Sequence, residues 1–174
     1  MERNTFSIAL TIGLIGVIAY LGFQHTSQRK VGYILIKELY TGFEMKKEME
    51  KKYLAVKQQR DKSLDSAKFE INKLLRKIEA EKGKNKTEQE EFEKKREAFL
   101  QMKNYFEEEN MKLSRSFDEQ IITQLNQYVK DYGVQEHYDL LFGNDGNGSL
   151  MYATEDLNKT EEVLKFINQK YSGR

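Results

Sequence analysis

Two long polar stretches decide the fold of this chain. Residues 44–78 are EMKKEMEKKYLAVKQQRDKSLDSAKFEINKLLRKI, and residues 88–132 are EQEEFEKKREAFLQMKNYFEEENMKLSRSFDEQIITQLNQYVKDY. The whole chain lacks proline, so no proline interrupts a helix in either stretch. Both stretches are predicted to be α-helices of about 35–45 residues, which would be roughly 50–65 Å long.

Apolar residues follow one face of the first predicted helix. They recur in steps of mostly four, four and three residues, with a polar interruption at Arg60. This spacing averages about 3.67 residues and favours straight or slightly right-handed packing against a neighbouring helix. The stripe consists of Met45, Met49, Tyr53, Val56, Leu64, Ala67, Ile71, Leu74 and Ile78.

The second predicted helix carries a comparable stripe. Its first part repeats every seven residues and its second part is more loosely spaced, through Phe92, Phe99, Met102, Phe106, Leu113, Phe117, Ile121, Leu125 and Tyr128. Gly133 is expected to end this helix. Two helices with one narrow stripe each have almost no interior of their own when they pair.

The segment between the helices, Glu81 to Lys86, contains Gly83 and breaks both patterns, so we predict a hairpin tip there. Thr87 to Glu90 (TEQE) fits a capping box that restarts the helix. Residues 44–86 carry 14 basic and 8 acidic side chains, whereas residues 87–132 carry 7 basic and 11 acidic ones, so the arms have net charges of +6 and −4. Opposite charge favours antiparallel pairing, although an exposed ion pair contributes only about 0–1 kcal/mol. The hairpin is assigned to residues 43–132.

Strand-like segments flank the hairpin. Val31 to Ile36 is predicted to be one strand, and Tyr138 to Phe142 and Leu150 to Ala153 are predicted to be two more, joined by a turn at Asn144 to Ser149. Asp156 to Tyr171 is predicted to be an amphipathic helix. The fold class is therefore α+β, with a long antiparallel helical hairpin that projects from a small β-body.

The body, residues 29–42 and 133–174, is too small to bury the area needed to hold two exposed arms in a fixed direction. Joining equivalent bodies would extend the sheet and cover its edges. We therefore predict a homo-oligomer, although this argument does not give the number of chains. Its body residues are expected to include Tyr33, Leu35, Leu140, Phe142, Met151 and Leu164.

Residues 1–28 form a separate N-terminal segment. Phe6 to Phe23 is apolar apart from Ser7 and Thr11, which is near the lower length limit of a membrane-spanning helix. A cleaved signal peptide would need a small-x-small exit, and Ala19 to Gln24 offers no good one. An uncleaved anchor is favoured over a cleaved signal, and a buried soluble helix is the third reading. The anchor residues are Phe6, Ile8, Leu10, Ile12, Leu14, Ile15, Val17, Ile18, Leu21 and Phe23.

Composition argues against several functions. The chain has no cysteine, which excludes disulfides, thiolate metal sites and a cysteine nucleophile. Its net charge of +1 creates no strong field for nucleic acid, so no such partner is expected. His25 and His137 are far apart in sequence, which argues against a zinc or catalytic histidine site. The acidic runs are typical of solvated helix faces rather than of an acid/base pair. The segment from Asp145 to Ser149 lacks the glutamate that a calcium loop requires. We predict no enzyme activity, no metal and no cofactor.

Two features of the hairpin could bind a partner. Four lysines cluster at the tip, as a solvated turn or as a contact for an anionic lipid surface or an acidic client: Lys77, Lys82, Lys84 and Lys86. Six methionines and phenylalanines form either the seam between the arms or an adaptable apolar lining for a client: Met45, Met49, Phe92, Phe99, Met102 and Phe106.

From Val31 to Tyr171 the chain resembles the Skp/OmpH family of periplasmic chaperones. The resemblance rests on VGYILI from Val31, Gly42-Phe43-Glu44, YDLLF from Tyr138, MYA from Met151, DLN from Asp156 and EVLKFINQKY from Glu162. It implies a homotrimer with a β-body and three helical tentacles around a cavity, which holds unfolded outer-membrane proteins without ATP. The near-neutral charge and the predicted anchor depart from the family pattern.

The resemblance also places the C-terminal bulk in the periplasm, against the weak positive-inside signal of Arg29 and Lys30. The first hypothesis is an ATP-independent holdase for unfolded outer-membrane or envelope proteins, tethered to the inner membrane by a single pass, or soluble in the periplasm if the leader is cleaved. The alternative is a non-catalytic structural or adaptor subunit of a larger envelope membrane complex, with the hairpin as its docking rod.

Overall fold

The computed structural model describes residues 29–82 and 84–173. Long helices and a small strand body dominate this part of the chain, as the sequence predicts. The elements in chain order are β1 (Val31–Leu35), α1 (Ile36–Gly42), α2 (Glu44–Ala80), α3 (Lys86–Gln135), β2 (Leu140–Asn144), a 3₁₀ helix (Glu155–Leu157) and α4 (Thr160–Tyr171).

The predicted membrane anchor, with all of its named residues from Phe6 to Phe23, lies outside the described residues. Among the helices that are described, none combines the length and the apolar character that a bilayer crossing requires.

Helices α2 and α3 are the two arms of the predicted hairpin. Arg60 of α2 bonds to Asn110 of α3 midway along the arms, and Lys77 pairs with Glu88 near the tip. The partner positions move in opposite directions along the two helices, so the arms are antiparallel. Of the ion pairs between described residues, only Lys77–Glu88 joins the arms, and most of the others lie within one helix at i,i+3 or i,i+4 spacing.

Both ends of α3 differ from the prediction. The helix begins at Lys86, because the side chain of Asn85 is its N-cap and accepts a hydrogen bond from the Glu88 N–H (3.4 Å). Thr87 lies inside the helix, so the predicted capping box is wrong.

At its other end, α3 continues through Gly133 to Gln135, so the prediction that Gly133 ends the helix is also wrong. The termination is a Schellman motif in which His137 has a left-handed φ of 56°, Tyr138 N–H donates to Gly133 O (2.8 Å) and His137 N–H donates to Val134 O (3.3 Å). A glycine inside a helix costs only about 1 kcal/mol relative to alanine, which the surrounding packing offsets.

Strands β1 and β2 form a parallel pair with Val31 opposite Leu140 and Leu35 opposite Asn144. The whole hairpin is the crossover connection between them, because it leaves the body and returns to it. On its other side, β1 receives a hydrogen bond from Lys159 N–H to Tyr33 O (2.9 Å). Therefore β1 is flanked on both sides, whereas one edge of β2 has no strand beside it in the described chain.

The predicted strand from Leu150 to Ala153, and with it the strand–turn–strand hairpin, is wrong: these residues are irregular and no backbone hydrogen bond joins them to β2 in the described chain. The loop before them contains Gly146 and Gly148 in left-handed conformations (φ 81° and 89°), and Asn147 N–H donates to Asp145 Oδ1 (2.9 Å). These local turns direct the chain away from β2. Strand β2 itself extends to Asn144 rather than ending at Phe142.

Short helices complete the body. Helix α1 follows β1 directly, and Phe43 alone separates it from α2 in an extended conformation (φ −68°, ψ 126°). The predicted helix from Asp156 to Tyr171 is divided into the 3₁₀ helix and α4, because the segment between them lies against β1.

The core lies where the arms meet the body. Residues from β1, α1, both arms and α4 contribute to one buried cluster: Ile34, Leu39, Phe43, Met45, Ile121, Leu125, Tyr132, Val163 and Ile167. The roots of the arms are thus part of the body's interior.

Candidate functional site

An apolar surface covers one side of the two-stranded sheet. Val31, Leu140 and Phe142 are 38%, 45% and 47% exposed, and Met151 and Tyr152 beyond them are 89% and 82% exposed. We call these five residues the outer sheet face. Val31 lies opposite Leu140 in the sheet, and Met151 and Tyr152 line one pocket with Tyr33 and Asn144. Exposed apolar residues grouped in this way are typical of a surface that contacts another molecule.

The pleat of the strands explains why this face is apolar. Alternate residues of a strand point to opposite sides, so Ile34 and Leu141 turn toward the helical core while Val31, Leu140 and Phe142 turn away from it. A two-stranded sheet with one uncovered apolar side is marginal by itself in water. The geometry therefore leaves a face that a further layer or a further chain would stabilise.

The predicted body residues of the strands differ in exposure. Leu140, Phe142 and Met151 are exposed and belong to the outer sheet face. By the same alternation Tyr33 and Leu35 point to this side of the sheet, but Tyr33 is buried and Leu35 is half-buried, and both line a small pocket with Met151 and Tyr152. Leu164 is half-buried against Gly42, at the end of α1. Sequence reasoning missed Val31 and Tyr152, which the alternation of β1 and the MYA motif could have suggested.

At the tip, Lys77 differs from the other predicted lysines. Its Nζ lies 2.5 Å from Glu88 Oε1, and this hydrogen bond raises the pKa of Lys77. Lys82, Lys84 and Lys86 are exposed and form no ion pair with any residue in 29–82 or 84–173. The tip thus presents three ammonium groups without an ion-pair partner in the described chain. Lys77, farther from the tip, instead joins the two arms through its ion pair with Glu88.

The predicted methionines and phenylalanines lie along the interior side of the hairpin. Met45 is buried, and Met49, Phe92, Phe99, Met102 and Phe106 are half-buried. A half-buried side chain on a two-helix hairpin still has apolar surface at the groove between the helices. These positions can therefore hold the arms together and still contact another chain.

Arg60, the polar interruption of the first stripe, also lies at the seam. Its Nη1 donates to Asn110 Oδ1 (2.5 Å), and its guanidinium carbon is 5.7 Å from the centre of the Phe106 ring. The interruption is therefore a polar cross-link between the arms, with a cation–π contact beside it.

Exposed apolar residues on the outward side of the arms were missed by sequence reasoning. Leu100, Met111 and Ile122 are 47%, 56% and 50% exposed and are spaced eleven residues apart along α3. Leu54 and Phe69 of α2 are 56% and 66% exposed. The eleven-residue spacing in α3 was the signal that could have revealed the first group.

The described residues contain no group of histidine, cysteine or carboxylate side chains that could hold a metal ion. Asp145 accepts hydrogen bonds from its own turn, chiefly from Asn147 N–H, and these lower its pKa. His137 takes the left-handed conformation that ends α3, and His25 lies outside the described residues.

The family model "Outer membrane protein (OmpH-like)" matches residues 30–167. Among solved structures, the chain is similar to a candidate outer membrane chaperone (OmpH-like) from Caulobacter crescentus, with a TM-score of 0.71, 11% sequence identity, and 83% of this chain and 86% of that chain covered. At this identity the likeness shows the fold alone. No curated protein matches the chain.

Proposed function

The chain belongs to the Skp/OmpH family, and from this premise we propose that it is an ATP-independent chaperone that binds unfolded outer-membrane or envelope proteins in the periplasm. The proposed active form is a homotrimer joined through the outer sheet face, with the hairpins projecting from the joined bodies. One membrane-spanning segment near the N-terminus is proposed to tether the chain to the inner membrane.

The outer sheet face is the observation that carries this proposal. It leaves apolar side chains of the body exposed at Val31, Leu140, Phe142, Met151 and Tyr152, and one edge of β2 pairs with no strand within residues 29–82 and 84–173. A second copy could cover the apolar side and supply a strand to the edge. Three hairpins held side by side could contact one client at the same time. Many weak contacts between the client and the seam residues would then add up to stable binding.

Assembly can be tested with single cysteines, because the natural chain has none. We expect Met151→Cys in the full-length chain to give covalent oligomers under mild oxidation in intact cells. Met111→Cys, at an exposed position midway along α3, is the matched control and should give far less product. Adding Phe142→Lys should abolish the Met151→Cys product. Equal cross-linking at both positions would contradict assembly through the body.

Holdase activity can be tested by light scattering of a refolding β-barrel membrane protein. The full-length chain, carried in lipid nanodiscs, should suppress aggregation, whereas empty nanodiscs should not. The Phe142→Lys variant should lose this suppression together with assembly. Unchanged aggregation at a molar excess of the trimer would refute the holdase proposal.

A second candidate function is the structural or adaptor subunit of an envelope complex, which the near-neutral net charge of +1 favours over electrostatic capture of many clients. Pull-down from solubilised membranes separates the two. A single stoichiometric partner set supports the subunit, and a mixture of outer-membrane proteins supports the chaperone.

The free lysines of the tip add a proposed contact with an anionic surface. Replacing Lys82, Lys84 and Lys86 with glutamine should weaken binding to vesicles that contain anionic lipid and leave binding to neutral vesicles unchanged. Loss of binding to both kinds of vesicle would show that the lysines act on the fold instead.

A further inference from the structure

A cavity of about 230 Å³ lies between the roots of the arms, beside α1. Ligand pockets for drug-sized molecules are about 300–1,000 Å³, so this cavity has room for a side chain rather than for a cofactor. We call it the root pocket. Three aromatic rings, two apolar side chains and a carboxylate contribute to its walls: Tyr40, Tyr53, Phe117, Met49, Ile121 and Asp118.

The charge of the root pocket is negative. Lys46 and Glu50, which also line it, neutralise one another across 2.6 Å. Asp118 accepts a hydrogen bond from the neutral Tyr40 hydroxyl (2.7 Å), and no cation in residues 29–82 or 84–173 lies within ion-pair distance of it. Burial, together with this hydrogen bond, raises the pKa of Tyr40 to about 12, so the hydroxyl remains a donor and Asp118 remains uncompensated.

Aromatic rings elsewhere in the body already face cations from the same chain. Lys30 Nζ is 4.2 Å from the centre of the Tyr138 ring, and Lys170 Nζ is 5.5 Å from that of Tyr128. No such contact occurs at the rings of the root pocket among the described residues. The pocket thus combines aromatic rings that contact no cation of the described chain with a carboxylate that forms no ion pair there.

We propose that the root pocket binds an arginine side chain of an unfolded polypeptide. A guanidinium group stacks on aromatic rings, is more weakly hydrated than an ammonium group, and presents several donors to a carboxylate. The free lone pairs of Asp118 would accept those donors while Tyr53 and Phe117 contact the planar face. This inference rests on the proposed client binding and adds a preference for basic positions within the client.

The test compares two unstructured glycine- and serine-rich peptides, one with three arginines and one with citrulline at the same positions. Citrulline keeps the shape of arginine and removes its charge. Calorimetric titration into the full-length chain in nanodiscs should give a dissociation constant about fivefold lower for the arginine peptide. Asp118→Asn, which can still accept the Tyr40 hydrogen bond, should abolish the preference.

Glu119→Gln removes an adjacent exposed carboxylate and is the matched control, which should keep the preference. Tyr53→Leu should weaken it, and Tyr105→Leu, an exposed aromatic elsewhere on α3, should not. Equal binding of the two peptides, binding of neither, or equal losses in Asp118→Asn and Glu119→Gln would overturn the inference. Suppression of light scattering by the wild-type chain would still stand in that event, so the two proposals fail separately.

Discussion

Asn168 of α4 holds the peptide backbone on both sides of Phe43. Its Oδ1 accepts a hydrogen bond from Glu44 N–H (2.9 Å), and its Nδ2 donates to Gly42 O (3.2 Å). The Phe43 ring between these bonds is fully buried, with its centre 5.6 Å from that of the Tyr171 ring in an edge-to-face arrangement. One amide side chain therefore fixes the point where the first arm leaves the body.

We expect Asn168→Ala to lower the free energy of unfolding by about 1–3 kcal/mol, because it leaves two backbone groups at the helix break without their partner. Chemical denaturation at a fixed chain concentration measures this, since assembly contributes to apparent stability. Gln169→Ala, the exposed neighbour on the same helix, is the control and should change stability by no more than about 0.5 kcal/mol. Equal losses of stability in the two variants would show that the Asn168 side chain does not stabilise the non-helical junction between α1 and α2.

Two glycines should respond oppositely to alanine. A β-carbon at Gly42 would lie 2.6 Å from Leu164 Cδ2, so Gly42→Ala should destabilise by about 1–3 kcal/mol, and Leu164→Val should relieve part of that loss. A β-carbon at Gly133 would lie 3.5 Å from Leu141 Cδ1, an ordinary contact. Gly133→Ala should therefore stabilise by about 0.5–1 kcal/mol through helix propensity. Destabilisation by both changes would refute the assignment of Gly133 to an unstrained helix interior.

The adjacent residues Ile121 and Ile122 test where the core ends. Ile121 is 3% exposed in the cluster that joins arms and body, whereas Ile122 is 50% exposed. Ile121→Ala should cost about 2–5 kcal/mol by leaving a cavity, and Ile122→Ala should change stability by no more than about 0.5 kcal/mol. Thermal unfolding of the two variants distinguishes these outcomes. A large loss from Ile122→Ala would instead indicate that another molecule covers this side of α3.

Particular residues show which parts of the fold and of the candidate site are predictable from the sequence. The helical stripes predicted the hairpin because their period depends only on side chains along one helix. The body was harder, because Leu150 to Ala153 has the composition of a strand but the turns at Asp145 and Gly148 direct it away from β2. The end of α3 was also missed, because His137 takes the left-handed position that usually favours glycine. The root pocket was not foreseeable, since its residues come from α1 and both arms and meet only in the folded chain.

The polar contact between Arg60 and Asn110 should be coupled. Asn110→Ala leaves the guanidinium group without its 2.5 Å partner, and Arg60→Ala leaves the amide alone, so each change should destabilise. A double-mutant cycle should give a coupling energy of about 1 kcal/mol, modest because the site is only half-buried. Replacing both residues with leucine should leave stability equal or higher while removing a directional contact that fixes the register of the arms. A coupling energy of zero would show that the two side chains act independently.

Alkaline pH should weaken the attachment of the arms to the body. The pKa of Tyr40 is raised to about 12, first by burial and then by Asp118, and the pKa of Tyr171 is raised to about 12, first by its hydrogen bond to Glu48 and then by burial. The pKa of tyrosine in an unfolded chain is about 10. The contribution of these two hydroxyl groups to folding stability is therefore complete below that pH and is lost as the pH rises toward about 12. We expect the melting temperature to fall over this interval less steeply for Tyr40→Phe and Tyr171→Phe than for the wild-type chain. Tyr105→Phe, at an exposed position on α3, should retain the wild-type slope. Identical slopes in all four proteins would show that neither hydroxyl is held as the structure indicates.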